Sequence, residues 1–342
     1  MPNPSLRELA RTLGLSHTTV SEALRHSPRV SEPTRERVLS AAKAAGYHAN
    51  PLAGALMSEM RRSRSGTFRG LLAILDLDGP DRRPVNAARY HRELTLGAST
   101  RAVELGFKAE SFVLGQQMSM SRLNSILLSR GIHGVFLLPV SENPDLSQLD
   151  WTRFAGVYAD YIIERPALHS VCSDHYRSMM MVLQKLQALG YRRPGLVLNR
   201  HHDERLLHRW EAAFQTYQNH HQAFARLTPL IVPEIVQTAF TPWFQTTKPD
   251  VVLCHRSEVI TWMEQCGAAV PRTHGFCCLN EMMNVVPCAG IDLQPRLLGA
   301  RGVELLIAQL HRNEYGVPEH PTTTTLPACW VDGPTLRPQS KA

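Results

Sequence analysis

Residues 16–24 read Ser16-His17-Thr18-Thr19-Val20-Ser21-Glu22-Ala23-Leu24. Ser16 suits an N-cap, because its hydroxyl can accept a backbone N–H that the first helical turn leaves unpaired. Val20, Ala23 and Leu24 recur at helical spacing and can be buried together. That leaves His17, Thr18, Ser21 and Glu22 facing outward, with imidazole, hydroxyl and carboxylate groups able to reach base edges in a DNA groove. One polar helix decides nothing, so its neighbours carry the argument.

Upstream, Ser5-Leu6-Arg7-Glu8 has the Ser-x-x-Glu pattern of a capping box. Leu6, Leu9, Ala10 and Leu13 mark one face of a short helix. Gly14 can end it, since glycine tolerates the left-handed conformation. Leu15 plugs the turn, and two short helices across a Gly turn form a helix-turn-helix. Downstream, Ser31-Glu32-Pro33-Thr34 starts a third helix, with Ser31 as cap and Pro33 in the first turn. Val38, Leu39, Ala42 and Ala45 give it an apolar stripe. Asn50-Pro51 begins a fourth segment, Leu52 to Met57, which falls below the ~12 residues that hold as a helix alone in water. Gly54 weakens it by about another 1 kcal/mol relative to Ala. The spacing predicts a conditional helix that orders when something packs on it. Arg61-Arg62-Ser63-Arg64-Ser65-Gly66 follows as a basic linker.

Charge agrees with this division. Residues 1–65 contain ten Arg and Lys against five Asp and Glu, hence +5 of the chain's net +7. A basic end on a nearly neutral body suits a polyanion-binding module joined to something else. At 342 residues the chain exceeds a single ordinary domain. It has no apolar run of about eighteen residues, so no membrane span is expected. The start, Met1-Pro2-Asn3-Pro4-Ser5, lacks the order of a signal peptide, so a cytoplasmic location is expected. Seven cysteines without a Cys-x-x-Cys pair fit reduced thiols better than a disulfide framework or a zinc knuckle.

From Gly70 the texture changes. Gly70 to Leu75 reads as a buried strand, residues 89–105 as a helix, Ala109 to Leu114 as a strand, 119–130 as a helix and Gly134 to Leu138 as a strand. The pattern restarts after about residue 168. His175 to Leu189 and Leu206 to Asn219 read as helices, with Gly195 to Leu198 and Val251 to Leu253 as strands and 257–267 helical. Such alternation indicates βαβ units and mostly parallel sheets. Two α/β halves imply a cleft outside the carboxyl ends of their strands.

These residues resemble the lactose-repressor family of bacterial transcription regulators. In the headpiece the resemblance rests on Leu6, Ala10, Gly14-Leu15-Ser16, Thr19-Val20-Ser21, Ser31, Thr34-Arg35, Val38, Gly46-Tyr47, Asn50-Pro51, Ala53 and Leu56. In the body it rests on Leu189-Gly190-Tyr191-Arg192-Arg193, Lys248-Pro249-Asp250, Leu298-Gly299-Ala300 and Trp330-Val331-Asp332-Gly333. The fold implied is an all-α helix-turn-helix headpiece over 1–49, a hinge helix and linker over 50–69, and a two-lobed α/β core over 70–342. That core would resemble periplasmic binding proteins, with lobe 1 about 70–162 and 292–322 and lobe 2 about 163–291 and 323–342. The resemblance implies a homodimer on pseudo-palindromic double-stranded DNA, acting as a repressor and controlled by a small-molecule effector, a sugar or sugar derivative, bound between the two core lobes.

The resemblance also implies site residues. His17, Thr18 and Glu22 fall at base-reading positions, and Ser16, Thr19 and Ser21 lie on the same helix, with Thr19 and Ser21 at phosphate-contacting ones. Asn50, Ala53 and Leu56 fall in the hinge, Leu56 as an apolar wedge in the minor groove. Glu22 departs from the Arg common in the family. It can accept from a cytosine amino group or pair with Arg25 one turn on. For the effector, the matching positions are Tyr90, Asp160, Arg209, Trp210 and Asn280. Trp210 and Tyr90 could stack on a ligand, although core packing is an equal alternative for both. The usual Arg and Asp are replaced at two of these positions, which argues against a charged ligand or a standard hexose.

Other classes fit less well. His201-His202-Asp203 and His220-His221 invite a metal reading, but adjacent histidines diverge on a helix, so surface histidines and no metal or cofactor are expected. No phosphate-cradling, nucleophile-elbow or dinucleotide motif points to an enzyme. A ligand-responsive activator, a regulator with a nucleoside-type effector and a small-molecule binder without a DNA role remain as alternatives.

Overall fold

The structure, a computed structural model, describes residues 6–24, 30–45, 69–78, 83, 85–114, 118–161, 164–284 and 286–337. The chain divides into two compact units, Met1–Arg62 and Ser63–Ala342. The hinge helix expected over 50–57 lies outside the described residues.

The first unit contains α1 (Leu6–Leu13), α2 (His17–Leu24) and α3 (Glu32–Ala44). Their apolar stripes meet as the sequence spacing requires. Leu9, Ala10, Val20, Ala23, Val30, Val38 and Ala42 form one buried cluster. Gly14 takes φ +62, the left-handed turn that ends α1. Arg37 fastens α3 to α1 by donating from Nη2 to the Leu13 carbonyl.

The second unit begins with β1 (Gly70–Asp76), α4 (Val85–Glu104), β2 (Phe107–Val113), α5 (Met120–Ser129), β3 (Gly134–Leu137), β4 (Ala155–Tyr158) and β5 (His169–Ser173). It continues with α6 (His175–Ala188), β6 (Pro194–Asn199), α7 (Arg200–Arg205), α8 (Arg209–His220), β7 (Leu230–Val232), α9 (Gln237–Thr247), β8 (Val251–Cys254), α10 (Glu258–Gln265), β9 (Gly275–Cys278) and β10 (Gly290–Asp292). It ends with α11 (Pro295–Arg312), β11 (Thr323–Leu326) and β12 (Cys329–Val331).

Two six-stranded sheets result, ordered β11-β5-β4-β3-β1-β2 and β12-β10-β9-β8-β6-β7. The first is parallel throughout, and in the second only β12 runs antiparallel. Leaving aside the sixth strand, each sheet follows the same doubly wound order, second-first-third-fourth-fifth. Both lobes therefore place the carboxyl ends of their strands where a ligand can sit. The inner strands are buried, as in Leu72 to Leu75 and Val251 to Cys254, because helices cover both faces of a parallel sheet, while the outer strands β2, β7, β11 and β12 stay partly exposed.

The lobe boundaries differ from those expected. β5, placed by the sequence in lobe 2, pairs with β4 in the first sheet. β11 also joins that sheet, alongside β5. Lobe 1 therefore runs to Ser173 and takes in 323–326. These strands, His-Ser-Val-Cys-Ser and Thr-Thr-Thr-Leu, have no apolar run to mark them. Polar side chains join them instead: Ser170 Oγ donates to Thr323 Oγ1 at 2.9 Å, and His169 Nδ1 lies 2.8 Å from Thr322 Oγ1. The helix expected over 206–219 starts later, at Arg209, and a short helix not expected from the sequence, α7, precedes it. Leu207 and His208 both take φ 55, which separates α7 from α8.

α4 and α11 pack at very short range. A Cβ on Gly97 would sit 2.0 Å from the Arg296 carbonyl oxygen, and one on Gly299 would sit 2.0 Å from that of Leu94. Backbone cannot yield as a side-chain tip can. Gly299→Ala is expected to cost about 3 kcal/mol, the upper end of ordinary overpacking. Urea denaturation measures this, and parental stability would contradict the close contact. Among the described residues no helix is long and apolar enough to cross a membrane.

Candidate functional site

On the first unit, α2 is set by its cap. The Thr19 N–H donates to Ser16 Oγ at 3.0 Å, and the two hydroxyl oxygens lie 2.8 Å apart. Val20 and Ala23 are fully buried, which turns Thr18 to solvent and leaves Thr19, Ser21 and Glu22 partly exposed. His17 belongs to α2, but its side chain is outside the described residues, as are Arg25, Asn50, Ala53 and Leu56. Ser31 stands at the N-cap of α3, with its hydroxyl 2.9 Å from that of Thr34 and Pro33 in the first turn.

The second unit contains a cavity of about 1120 Å³ at the strand ends of both lobes. Lobe 1 contributes Asp78, Arg83, Tyr90, His91, Ser141, Asp160 and Ser173. Lobe 2 contributes His201, His202, Arg205, His255, Arg256 and Asn280, with His175 from the start of α6. Three of the five expected effector residues, Tyr90, Asp160 and Asn280, line it. Arg209 and Trp210 do not. Trp210 is fully buried in the lobe 2 core, edge-on to His175 and His255 at centroid distances of 4.9 and 5.6 Å. It supports two cavity histidines from behind. The Arg209 guanidinium lies over the Tyr161 ring at 4.3 Å.

Sequence reasoning missed the cavity arginine that ties the two lobes together. Arg205, on the last turn of α7, reaches across to lobe 1 and donates from Nη1 to Asp160 Oδ2 at 2.7 Å and to the Val140 carbonyl at 2.6 Å. The other oxygen of Asp160 accepts the Tyr161 N–H at 2.8 Å. His201 Nε2 lies 2.9 Å from the Ser141 carbonyl and makes a second bridge between lobes. Asp160 is 5 % exposed. Burial raises its carboxyl pKa, opposed by the Arg205 charge and the Tyr161 N–H.

The other missed feature is a set of buried imidazoles. The expectation of surface histidines fails for His202, which lines the cavity with its ring 4.7 Å from that of His255. Desolvation holds these groups neutral: His175 falls to about 3, His255 to about 4, and His202 well below its ordinary value. His91 falls to about 3, by burial and then the nearby Arg83 charge. His175 Nδ1, His255 Nε2 and Asn280 Oδ1 are buried without a hydrogen-bond partner among the described residues. A high histidine count was the one signal in the sequence. Nothing in it showed which of the sixteen face inward.

Comparison with known proteins bears on both units. Residues 5–50 match the model for bacterial regulatory proteins of the lacI family, and residues 183–336 match that for a periplasmic binding protein-like domain. Together they take in more than half of the chain. The chain joins a lacI-family helix-turn-helix domain to a periplasmic binding protein-like domain.

Among curated relatives, the chain is 27% identical over 198 residues to an HTH-type transcriptional regulator of Mycobacterium tuberculosis, covering 57% of this chain and 52% of the relative. It is 24% identical over 190 residues to the sucrose operon repressor of Escherichia coli, covering 56% and 54%. The chain thus spans about half the length of these curated relatives. Among solved structures, a transcriptional regulator CelR–cellobiose complex aligns with TM-score 0.58 at 18% identity, covering 97% of this chain and 99% of that one. A lac repressor dimer bound to operator and an anti-inducer aligns with TM-score 0.55 at 16% identity, covering 97% and 98%. At these identities the two structures support the fold alone.

Proposed function

We propose that this chain is a sequence-specific DNA-binding repressor of transcription whose effector, held between the core lobes, is a small neutral polyhydroxy compound of the sugar class. The observation that carries it is the joining of a capped helix-turn-helix unit to a two-lobed core whose largely apolar cavity carries ion-paired arginines and neutral imidazoles. Arg83 pairs with Asp76 at 2.5 Å, Arg205 with Asp160 at 2.7 Å, and Arg256 with Glu258 at 3.3 Å. Buried imidazoles add donors and acceptors without charge. A neutral ligand rich in hydroxyls suits such a lining, because an ionic one would need an unpaired counter-charge. The sucrose operon repressor and the CelR–cellobiose complex support the repressor and sugar parts by their names.

In this reading Thr18, Glu22 and His17 of α2 face base edges, and Ser16, Thr19 and Ser21 face phosphates. Asn50, Ala53 and Leu56 act in the hinge, and a homodimer meets a pseudo-palindromic site. Effector binding favours one lobe arrangement over another and so biases the hinge segments between helix and coil.

Two measurements test this. Deleting residues 1–62 is expected to abolish binding to duplex DNA selected from a random pool by the full chain, and retained affinity would overturn the domain assignment. A thermal-shift screen of sugars, sugar acids and nucleosides should give shifts with neutral sugars, about 2.7 kcal/mol of added stability at a hundredfold excess over Kd. Stabilisation by anionic ligands alone would overturn the neutral-effector reading.

A further inference from the structure

The corner between α7 and α8 brings Asp203, His208 and Glu211 together outside the cavity lining. One donor atom from each lies within 4.8 Å of the other two. His208 Nδ1 is 3.5 Å from Asp203 Oδ2 and 3.8 Å from Glu211 Oε2. The longer separation is too great for a hydrogen bond and the shorter is at its limit. With ligand bonds of about 2.0–2.2 Å, donors sharing one tetrahedral ion lie about 3.3–3.6 Å apart; the His208–Asp203 separation of 3.5 Å falls within that range and the His208–Glu211 separation of 3.8 Å lies just beyond it, within reach of a small side-chain rotation at the exposed pair.

A second observation points the same way. The Asp203 side chain is only 1 % exposed, and neither carboxylate oxygen has a hydrogen-bond partner within normal limits. A buried carboxylate in that position is costly unless something positive or a donor meets it. The first N–H groups of α8, at Trp210 and Glu211, face it. A helix end supplies only about +0.5 charge, against two carboxylates. Glu211 is already oriented: Gln215 Nε2 donates to its Oε1 at 2.7 Å, leaving Oε2 towards His208. Outer hydrogen bonds of this kind commonly fix a ligating carboxylate.

We infer that Asp203, His208 and Glu211 form a binding site for a divalent transition-metal ion of the zinc class, through one imidazole nitrogen and two carboxylate oxygens. Water would complete the coordination on the exposed side, where His208 is 59 % and Glu211 28 % exposed. This donor set suits Zn²⁺ or Co²⁺ rather than a soft ion that selects thiolates. The site borders the cavity wall, since α7 carries His202 and Arg205 into the cavity on either side of Asp203 in the chain. A bound ion would hold the α7–α8 corner closed.

The test uses the full chain stripped with chelator and titrated with Co²⁺ and Zn²⁺. One saturable Co²⁺ site is expected, with the visible d–d absorption of a tetrahedral or five-coordinate ion and no sulfur charge-transfer band. His208→Asn and Glu211→Gln, both at accessible side chains that can change without opening the core, are each expected to weaken it at least tenfold. A His220→Asn/His221→Asn control should leave it unchanged. Absence of a saturable site, a sulfur band, a loss below tenfold in either ligand variant, or an equal loss in the control would overturn the inference and leave Asp203 as a capping group for α8.

Discussion

Replacing Arg205 with alanine is expected to destabilise the core by about 3–5 kcal/mol, because it strands a buried charge. Arg205 is 17 % and Asp160 6 % exposed at the side chain, so water screens their ion pair poorly. The guanidinium also satisfies the Val140 carbonyl, and it is the atom group that bridges lobe 2 to both the β3 and β4 loops. Loss of the partner leaves Asp160 with the single N–H of Tyr161. Its carboxyl pKa, already raised by burial, then rises further and the folded variant binds a proton more tightly than the unfolded chain. The deficit relative to the parent should therefore widen as pH rises above the ordinary carboxyl range and narrow as pH is lowered towards it. Adding Asp160→Asn should recover much of the loss, since it removes the stranded charge. Urea denaturation of the parent and both variants decides this. A deficit below about 1 kcal/mol for Arg205→Ala would place the pair among exposed ones that contribute little.

Periodicity made the headpiece legible, and it did so because small helices have few ways to bury a stripe. Ser16, Gly14, Val20 and Ala23 each have one physical task, and each is doing it in the structure. The fully buried strands were legible for a related reason, as runs such as Gly70 to Leu75 have no other environment. β5 and β11 were hidden, since hydroxyls and a histidine pair them and polar letters carry no strand signal. The cavity was legible only in part. Asp160 and Asn280 follow strands, where a doubly wound fold directs ligand contacts. Arg205 takes the cavity place that the resemblance gave to Arg209 and Trp210, because two left-handed residues, Leu207 and His208, shift the start of α8. That turns Trp210 inward and leaves the cavity to the helix before it. Little in Arg-Leu-Leu-His-Arg-Trp announces a break: histidine is among the residues enriched at φ above zero, but Leu207 is not, and no glycine marks the corner.

Acid should unfold the core well above the range in which carboxylates alone would do so. His91, His175 and His255 are held at about 3, about 3 and about 4, and His202 lies well below its ordinary value. In the unfolded chain each titrates near 6.5. Below that pH the unfolded chain takes up protons that the folded chain refuses, so stability falls as pH falls, by up to about 1.4 kcal/mol per histidine per pH unit. Desolvation is the main cause in each case and acts alone at His255, while nearby charges reinforce it at the other three. Arg83 and then Arg205 act on His91, His255 and then Arg205 and Arg209 on His175, and His255 and then Arg205 on His202, with Asp76 alone opposing at His91. Asp160 and Asp203 work in the other direction, since burial raises their carboxyls and lets the folded state hold a proton longer. That gain begins only as the pH nears their own range, below the interval in which the imidazoles have already acted. Between pH 6.5 and 5, three such histidines remove about 5 kcal/mol, comparable with the whole stability of many domains. His175→Gln and His255→Gln should each flatten the dependence of unfolding free energy on pH in this interval by close to one proton's worth. If either variant keeps the parental slope, that imidazole is not the buried neutral group described. If both flatten it, the same residues that give the cavity uncharged hydrogen-bonding groups also set its acid limit, because both properties come from excluding water around an imidazole.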